Sequence, residues 1–262
     1  MAAQPDSERS VFDVAGRRAL ITGASQGIGA EIASTLARAG VDLVLSDRDN
    51  GKLATHAQDL RENCGVRVAT IAADLSDPQT VEGLASAALT AFDGLDILVN
   101  NAGIAILEPV RDVRAQNWDA AMAVNLRAPA LLAARVGTAM ADAGHGGKII
   151  NVASTAALTP LAEHYAYCAS KAALLMATKV LALELGPRGV RSNAVCPTVV
   201  MTELGQKVWG DEAKAAPMLA RIPAGHFAVP SDVANAVLFL ASAASDMVNG
   251  LELTVDGGYT AT

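Results

Sequence analysis

Seven short apolar runs recur along the chain, at residues 18–22, 41–46, 66–72, 95–99, 148–152, 189–195 and 251–255. Between them lie segments long enough to hold a helix. Runs that are apolar on both faces suit strands buried in a parallel sheet, and parallel neighbours need long crossovers, usually helical. The alternation predicts an α/β fold: one doubly wound parallel sheet of seven strands with helices on both faces. With 262 residues and no linker, repeat or shift of composition, one large domain over residues 11–262 accommodates it. Residues 1–10 are polar and read as a loose tail.

The ends of those runs carry the chemistry. The first run enters Gly23-Ala24-Ser25-Gln26-Gly27-Ile28-Gly29 and then a helix with Ile28, Ile32 and Leu36 on one face, ending at Gly40. Strand, glycine-rich turn and helix let the backbone approach a phosphate, with free N–H groups and a positive dipole end facing it. The spacing is GxxxGxG, not GxGxxG, and a glycine turn without a ligand is the plain alternative. The second run ends at Asp47, which suits the ribose hydroxyls of NAD and would repel the extra phosphate of NADP. Arg48 pulls the other way, and Asp47 also suits a simple turn. Neutral Gln26 adds nothing for NADP.

Further on, a polar helix covers 52–63, and Asp77 and Pro78 open the next one. The fourth run ends in Asn100-Asn101-Ala102-Gly103, at the carboxyl edge where ligands of such sheets sit. Residues 118–140 read as one long helix containing Asn125, an amide that must face water or bind something. The fifth run ends at Ser154. Residues 198–222 are longer than an ordinary connection and read as a lid, and Ser231 is the expected cap of a last helix over 232–242.

Tyr167 and Lys171 are four residues apart among good helix formers, so both project from one helix face. A phenol with a pKa near ~10 is a poor base at neutral pH, and a neighbouring ammonium favours its ionised form. Bringing it to about 7 takes roughly 4 kcal/mol, more than one lysine supplies. Taken alone, the pair also fits a surface tyrosine and a surface lysine.

A net charge of −7 without a basic stripe argues against nucleic acid. Cys64, Cys168 and Cys196 have no metal-ligand or disulfide spacing, so free thiols in a reducing cytoplasm and no bound metal are expected. No signal segment or membrane span is expected either.

Together the motifs resemble the short-chain dehydrogenase/reductase family. The matching pieces are Thr22-Gly23 to Gly29, Asn100 to Gly103, Asn125, Ser154, Tyr167-x-x-x-Lys171 and Asn193-Ala-Val-Cys-Pro197, in the family's order across almost the whole chain. The resemblance implies a single Rossmann-type domain, a nicotinamide cofactor and a catalytic tetrad of Asn125, Ser154, Tyr167 and Lys171. Tyr167 would be the general acid/base. Lys171 would bind the nicotinamide ribose and lower the Tyr167 pKa, Ser154 would hold the substrate oxygen, and Asn125 would hold a water. It further implies cofactor contacts from Gly23, Ser25, Gln26, Gly27, Ile28, Gly29 and Asp47, from Asp74 and Leu75 at the adenine, and from Asn101, Ala102 and Gly103. Tyr167, Lys171, Pro197, Thr198, Val200 and Thr202 complete the set.

A narrower likeness, through Pro197-Thr198-Val-Val-Met-Thr202, Gly205-Gln206, Trp209, Arg221-Ile-Pro223, Phe227-Ala228, Tyr167-Cys168 and Ala182-Leu-Glu-Leu-Gly186, is to the L-xylulose reductase/carbonyl reductase and polyol dehydrogenase branch. That branch typically uses NADP, from which Gln26 and Asp47 depart. The expectation is an NAD-dependent oxidoreductase interconverting a small polyol and its ketose, with Ser154, Glu163, His164, Gln206 and Trp209 as candidate substrate contacts. The competing expectations are a 3-oxoacyl-thioester or other carbonyl reductase, and a cofactor-binding regulator without chemistry. The resemblance also implies a homotetramer acting on a small molecule.

Overall fold

The computed structural model describes residues 10–261. The expected tail lies outside them except for Ser10, whose carbonyl accepts from Asp13 N at 2.8 Å. Seven strands form one sheet: β1 (Arg18–Thr22), β2 (Asp42–Asp47), β3 (Val68–Ala72), β4 (Ile97–Asn100), β5 (Gly147–Val152), β6 (Val190–Pro197) and β7 (Glu252–Val255). All pair in parallel, in the order β3-β2-β1-β4-β5-β6-β7. The chain winds outward from β1 to β3, then returns to β4 and winds the other way. The switch lies between β1 and β4, where the loops diverge and open a crevice.

Alternation along each strand divides the core. Ile21, Leu43 and Leu45 face one layer, packing on α1 (Gly27–Arg38), α2 (Asn50–Cys64) and α9 (Pro230–Ala241) through Ile32, Leu36, Leu53, Val233 and Val237. Leu20, Val44 and Leu98 face the other layer, with α3 (Pro78–Ala91) and α5 (Ala128–Asp142) through Val81, Leu84, Leu132 and Val136. These strand residues are fully buried, which is why the runs read as continuously apolar.

Three local expectations change. The long helix is composite: α4 (Ala115–Met122), a π-helical turn (Ala123–Arg127) and then α5. Pro129 lies in the first turn of α5, where a missing N–H costs little, and the widened turn holds Asn125 fully buried. The last helix is capped by Asp232, not Ser231: its Oδ2 accepts from Val229 N at 2.8 Å, with Pro230 in the first turn. The sixth strand runs on through Pro197, which pairs with Val255 at the strand's end.

Residues 198–222 are not plain loop. They hold α7 (Glu203–Trp209), capped by Thr202 Oγ1 on Gly205 N, and α8 (Glu212–Leu219), capped by Asp211. Trp209 packs on Phe227 with ring centroids 5.8 Å apart. The stretch Tyr165–Arg188, which is α6 (Tyr165–Leu185) and the turn after it, is long and apolar enough by length and composition alone to cross a membrane, a test that core helices also pass. Here it packs against α4, α5 and β6.

Candidate active site

The carboxyl ends of the strands bring together most of the residues singled out above. A cavity of about 540 Å³ lies over the switch point, lined by Gly23, Gln26, Gly27, Ile28, Gly29, Asp47, Asp74, Leu75, Asn101, Ala102, Gly103 and Thr202. A second, of about 370 Å³, is lined by Ser154, Tyr167, Lys171, Pro197, Thr198, Val200 and Thr202. Ile28, Asn101, Gly103, Ile104, Thr202 and Leu204 line both, so the two form one elongated cleft. Ser25 and Asn125 lie behind it and support its walls.

Two glycines make the cleft. A Cβ on Gly29 would collide with the Gly23 carbonyl oxygen, so the helix can start this close to β1 only without a side chain. A Cβ on Gly103 would meet Asn125 Oδ1 and Lys171 Nζ at 3.4 Å and stand in the cleft. Asn101 ties the loop after β4 to the glycine turn, its Nδ2 donating to the carbonyls of Thr22 and Gly23 at 3.0 and 3.1 Å. An extended ligand with a phosphate-bearing middle and two planar ends fits this glycine cradle, as a nicotinamide dinucleotide would.

Asp47 is built into the turn. Its Oδ2 accepts from Ser25 N at 3.2 Å and from Ser25 Oγ at 2.7 Å, and its Oδ1 accepts from Arg48 N at 2.7 Å. Two cations stand close by: Arg48 lines the cavity, and Lys52 Nζ donates to Gln26 Oε1 at 2.9 Å. Lys52 escaped the sequence reading, because only the α2 fold-back sets it against Gln26.

Asn125 braces the other wall. Its Oδ1 accepts from Ile104 N at 2.8 Å, and its Nδ2 donates to Ile104 O at 2.8 Å and to Ser170 Oγ at 3.1 Å. Ser170 Oγ donates in turn to Tyr167 O at 2.8 Å. Ser170 stands inside the Tyr167–Lys171 motif, yet nothing in the spacing marks it as the joint between Asn125 and α6. Ser154 Oγ accepts from Ala156 N at 3.1 Å, which leaves its O–H to serve the Tyr167 oxygen.

Burial governs both titratable groups. It raises the Tyr167 phenol above its ordinary value, and the hydrogen bond with Ser154 only partly opposes this. Burial likewise lowers Lys171 to about 8. Lys171 Nζ donates to Val152 O at 2.7 Å and sits 5.8 Å from the Tyr167 ring centroid. Burial is the largest influence on Tyr167, and it acts against the lowering that Lys171 would give.

Of the other proposed substrate contacts, Trp209 lines the second cavity. The His164 ring stands edge-on to Tyr167, centroids 6.0 Å apart, and its Nδ1 lies 2.7 Å from Ala162 O. His164, Glu163 and Gln206 line neither part of the cleft. Glu163 holds a left-handed φ of 62°.

A family model described as enoyl-(acyl carrier protein) reductase matches residues 23–260. The chain belongs to the short-chain dehydrogenase/reductase family. It is 44% identical over 249 residues to a D-threitol dehydrogenase of Mycolicibacterium smegmatis, covering 95% of both chains. It is 43% identical over 249 residues to an L-xylulose reductase of Mesocricetus auratus, covering 95% of this chain and 98% of the relative. A solved structure from Beutenbergia cavernae, described as an NAD(P)-dependent gluconate 5-dehydrogenase with NADP at low occupancy, superposes with a TM-score of 0.92 at 38% identity, covering 97% and 100%. The match to the xylulose reductase and polyol dehydrogenase branch bears out the narrower resemblance. As a short-chain dehydrogenase/reductase, the protein is an NAD(P)-dependent oxidoreductase acting on CH–OH groups.

Proposed function

We propose that the protein oxidises a secondary alcohol of a small polyol to its ketose with NAD, using Asn125, Ser154, Tyr167 and Lys171. The observation that carries this is the cleft itself: Ser154, Tyr167 and Lys171 line the smaller cavity, which shares Gly103, Ile104 and Thr202 with the glycine-lined one. When bound, NAD supplies the hydride acceptor. Tyr167 takes the proton of the substrate hydroxyl as general base. Ser154, already fixed by Ala156 N, donates to the same oxygen and orients it. Lys171 reaches the cleft beside Gly103 and is suited to the cofactor ribose. Asn125 holds Ile104 and α6 in register, and the second lone pair of its Oδ1 remains for a water.

NAD is favoured over NADP by the Asp47 carboxylate, which Ser25 locks at the end of β2 where a 2′-phosphate would lie. Arg48 and Lys52 are the groups that would favour NADP. A polyol is favoured by the names of the relatives and by polar groups in the smaller cavity. Among these, Thr198 Oγ1 is buried with no hydrogen-bond partner among the described residues. We read residues 198–222 as the lid, with Leu204 and Trp209 turned toward the cleft. A homotetramer is supported by the exposed apolar stripe of Met176, Val180 and Leu183 on α6, beside Leu131 on α5.

Initial rates on four- to six-carbon polyols, each with NAD and with NADP at alkaline pH, test the reading. We expect NAD-dependent oxidation of one or two polyols. Activity only on ketoacyl thioesters or simple ketones would remove the polyol, and a preference for NADP would mean that Arg48 and Lys52 outweigh Asp47.

A further inference from the structure

The opposite edge of the sheet holds a third cavity, of about 820 Å³, beneath the amino ends of the strands. In a chain with a net charge of −7, its lining is rich in cations. Arg17 and Arg18 both line it and make separate contacts. Arg18 is neutralised by Asp96, which takes its Nε and Nη2 at 2.8 Å each. Arg67 is neutralised by Asp42 at 2.6 Å. The other end of the crevice differs. Lys148, 4% exposed, donates to Ser245 Oγ at 3.0 Å and to Asp246 Oδ1 at 2.8 Å. Arg17 donates to Ala241 O at 3.3 Å, and Arg191 to the carbonyls of Asp246 and Gly186 at 2.7 and 3.0 Å.

Neither Arg17 nor Arg191 has a carboxylate partner among the described residues, and both are close enough to Lys148 to depress its ionisation. Three cations thus line this end of the crevice, and the one carboxylate bonded to any of them, that of Asp246 on Lys148, has a side chain 66% exposed. Capping the carboxyl end of α9 explains Arg17 by itself. It does not explain why Arg191 and Lys148 are gathered there around an open volume.

We propose that this crevice is a binding site for a phosphate-bearing anion, held between Arg17, Lys148 and Arg191. Guanidinium forks match the paired oxygens of a phosphate, and the buried ammonium adds a point charge behind them. The volume exceeds that of a free phosphate and admits a phosphomonoester of a small sugar. The site is remote from the dinucleotide cleft, so both can be filled together.

Isothermal titration with inorganic phosphate, and separately with ribose 5-phosphate, would be run at constant ionic strength on protein saturated with NAD, which covers the glycine turn. We expect saturable binding of at least one, weakened at least tenfold by Arg17→Gln and by Arg191→Gln, with NAD affinity unchanged. Tighter binding of the sugar phosphate would identify a phosphomonoester site, and equal binding a site for the free anion. Heat that chloride reproduces at equal ionic strength would overturn the proposal. So would phosphate binding unaltered in both variants. The chloride comparison uses wild-type protein, so it stands even if a variant fails to fold.

Discussion

Two lysines of this chain are buried to the same degree, each 4% exposed, on opposite edges of one sheet. Lys148 at the amino edge has Asp246 and Ser245 as partners; Lys171 at the carboxyl edge donates to the Val152 carbonyl and has no carboxylate partner among the described residues. Burial lowers the pKa of both, but at Lys148 Asp246 opposes it, whereas Lys171 falls to about 8 without such relief. A buried ammonium with a counter-charge is a fastening. One without a counter-charge costs stability in the free protein, and the fold keeps it where an extended ligand would lie.

The largest expected effect tests the group that Lys171 serves. Tyr167→Phe should lower kcat about 10²–10⁴-fold while leaving NAD affinity within about twofold. Turnover near the wild-type rate would remove Tyr167 as the base.

Next comes Lys171→Met, which should lower activity yet stabilise the free protein by about 2 kcal/mol at pH 7. That figure sets the relief of about 1.4 kcal/mol per unit of pKa depression against the lost bond to Val152. The sign follows from proton binding. Between about 8 and the ordinary 10.5, the unfolded lysine holds a proton that the folded one has released. Wild-type stability should therefore rise with pH from about 8 and meet the Tyr167 phenol, ordinarily 10.0, only above that value. Urea midpoints from pH 7 to 10 should climb for wild type and stay level for the variant. Parallel curves would mean that Lys171 is well solvated.

Lys148→Met should do the reverse, costing about 1–2 kcal/mol in a urea titration at pH 7, because a satisfied pair and the Ser245 contact are lost. A stabilised variant would make the two lysines equivalent. Asp246→Asn should cost a similar amount, about 1–2 kcal/mol, because it leaves the buried Lys148 ammonium with Ser245 but no counter-charge.

A pH effect of the same sign, in the acid range, belongs to Asp96. Burial would raise its carboxyl, but the hydrogen bonds and charge of Arg18, with His145 beyond, leave it below the usual range. Its contribution is complete above that range and is lost as the pH falls through the lowered value.

Much of this was legible in the residues themselves. The strands announced themselves because a parallel sheet buries both faces, so Leu20-Ile21 and Leu43-Val44-Leu45 leave no polar position to confuse the reading. The glycine turn and the Tyr167–Lys171 spacing are local, set by steric need and helical period. Element ends were less legible. Asp232 rather than Ser231 caps α9, and the π-turn around Asn125 has no simple pattern.

The direction of the Tyr167 and Lys171 shifts belonged to the tertiary structure, because desolvation depends on what packs around a group and not on its neighbours in sequence. So did the tether of Lys52 to Gln26 and of Ser25 to Asp47, which need β2 and α2 to fold against the first turn. The basic crevice lay furthest from view. Arg17, Lys148, Arg191 and Asp246 come from four distant segments, and only the shared edge of a parallel sheet collects them. Local periodicity specifies what a segment becomes; charge gathered across strands exists only once the strands are side by side.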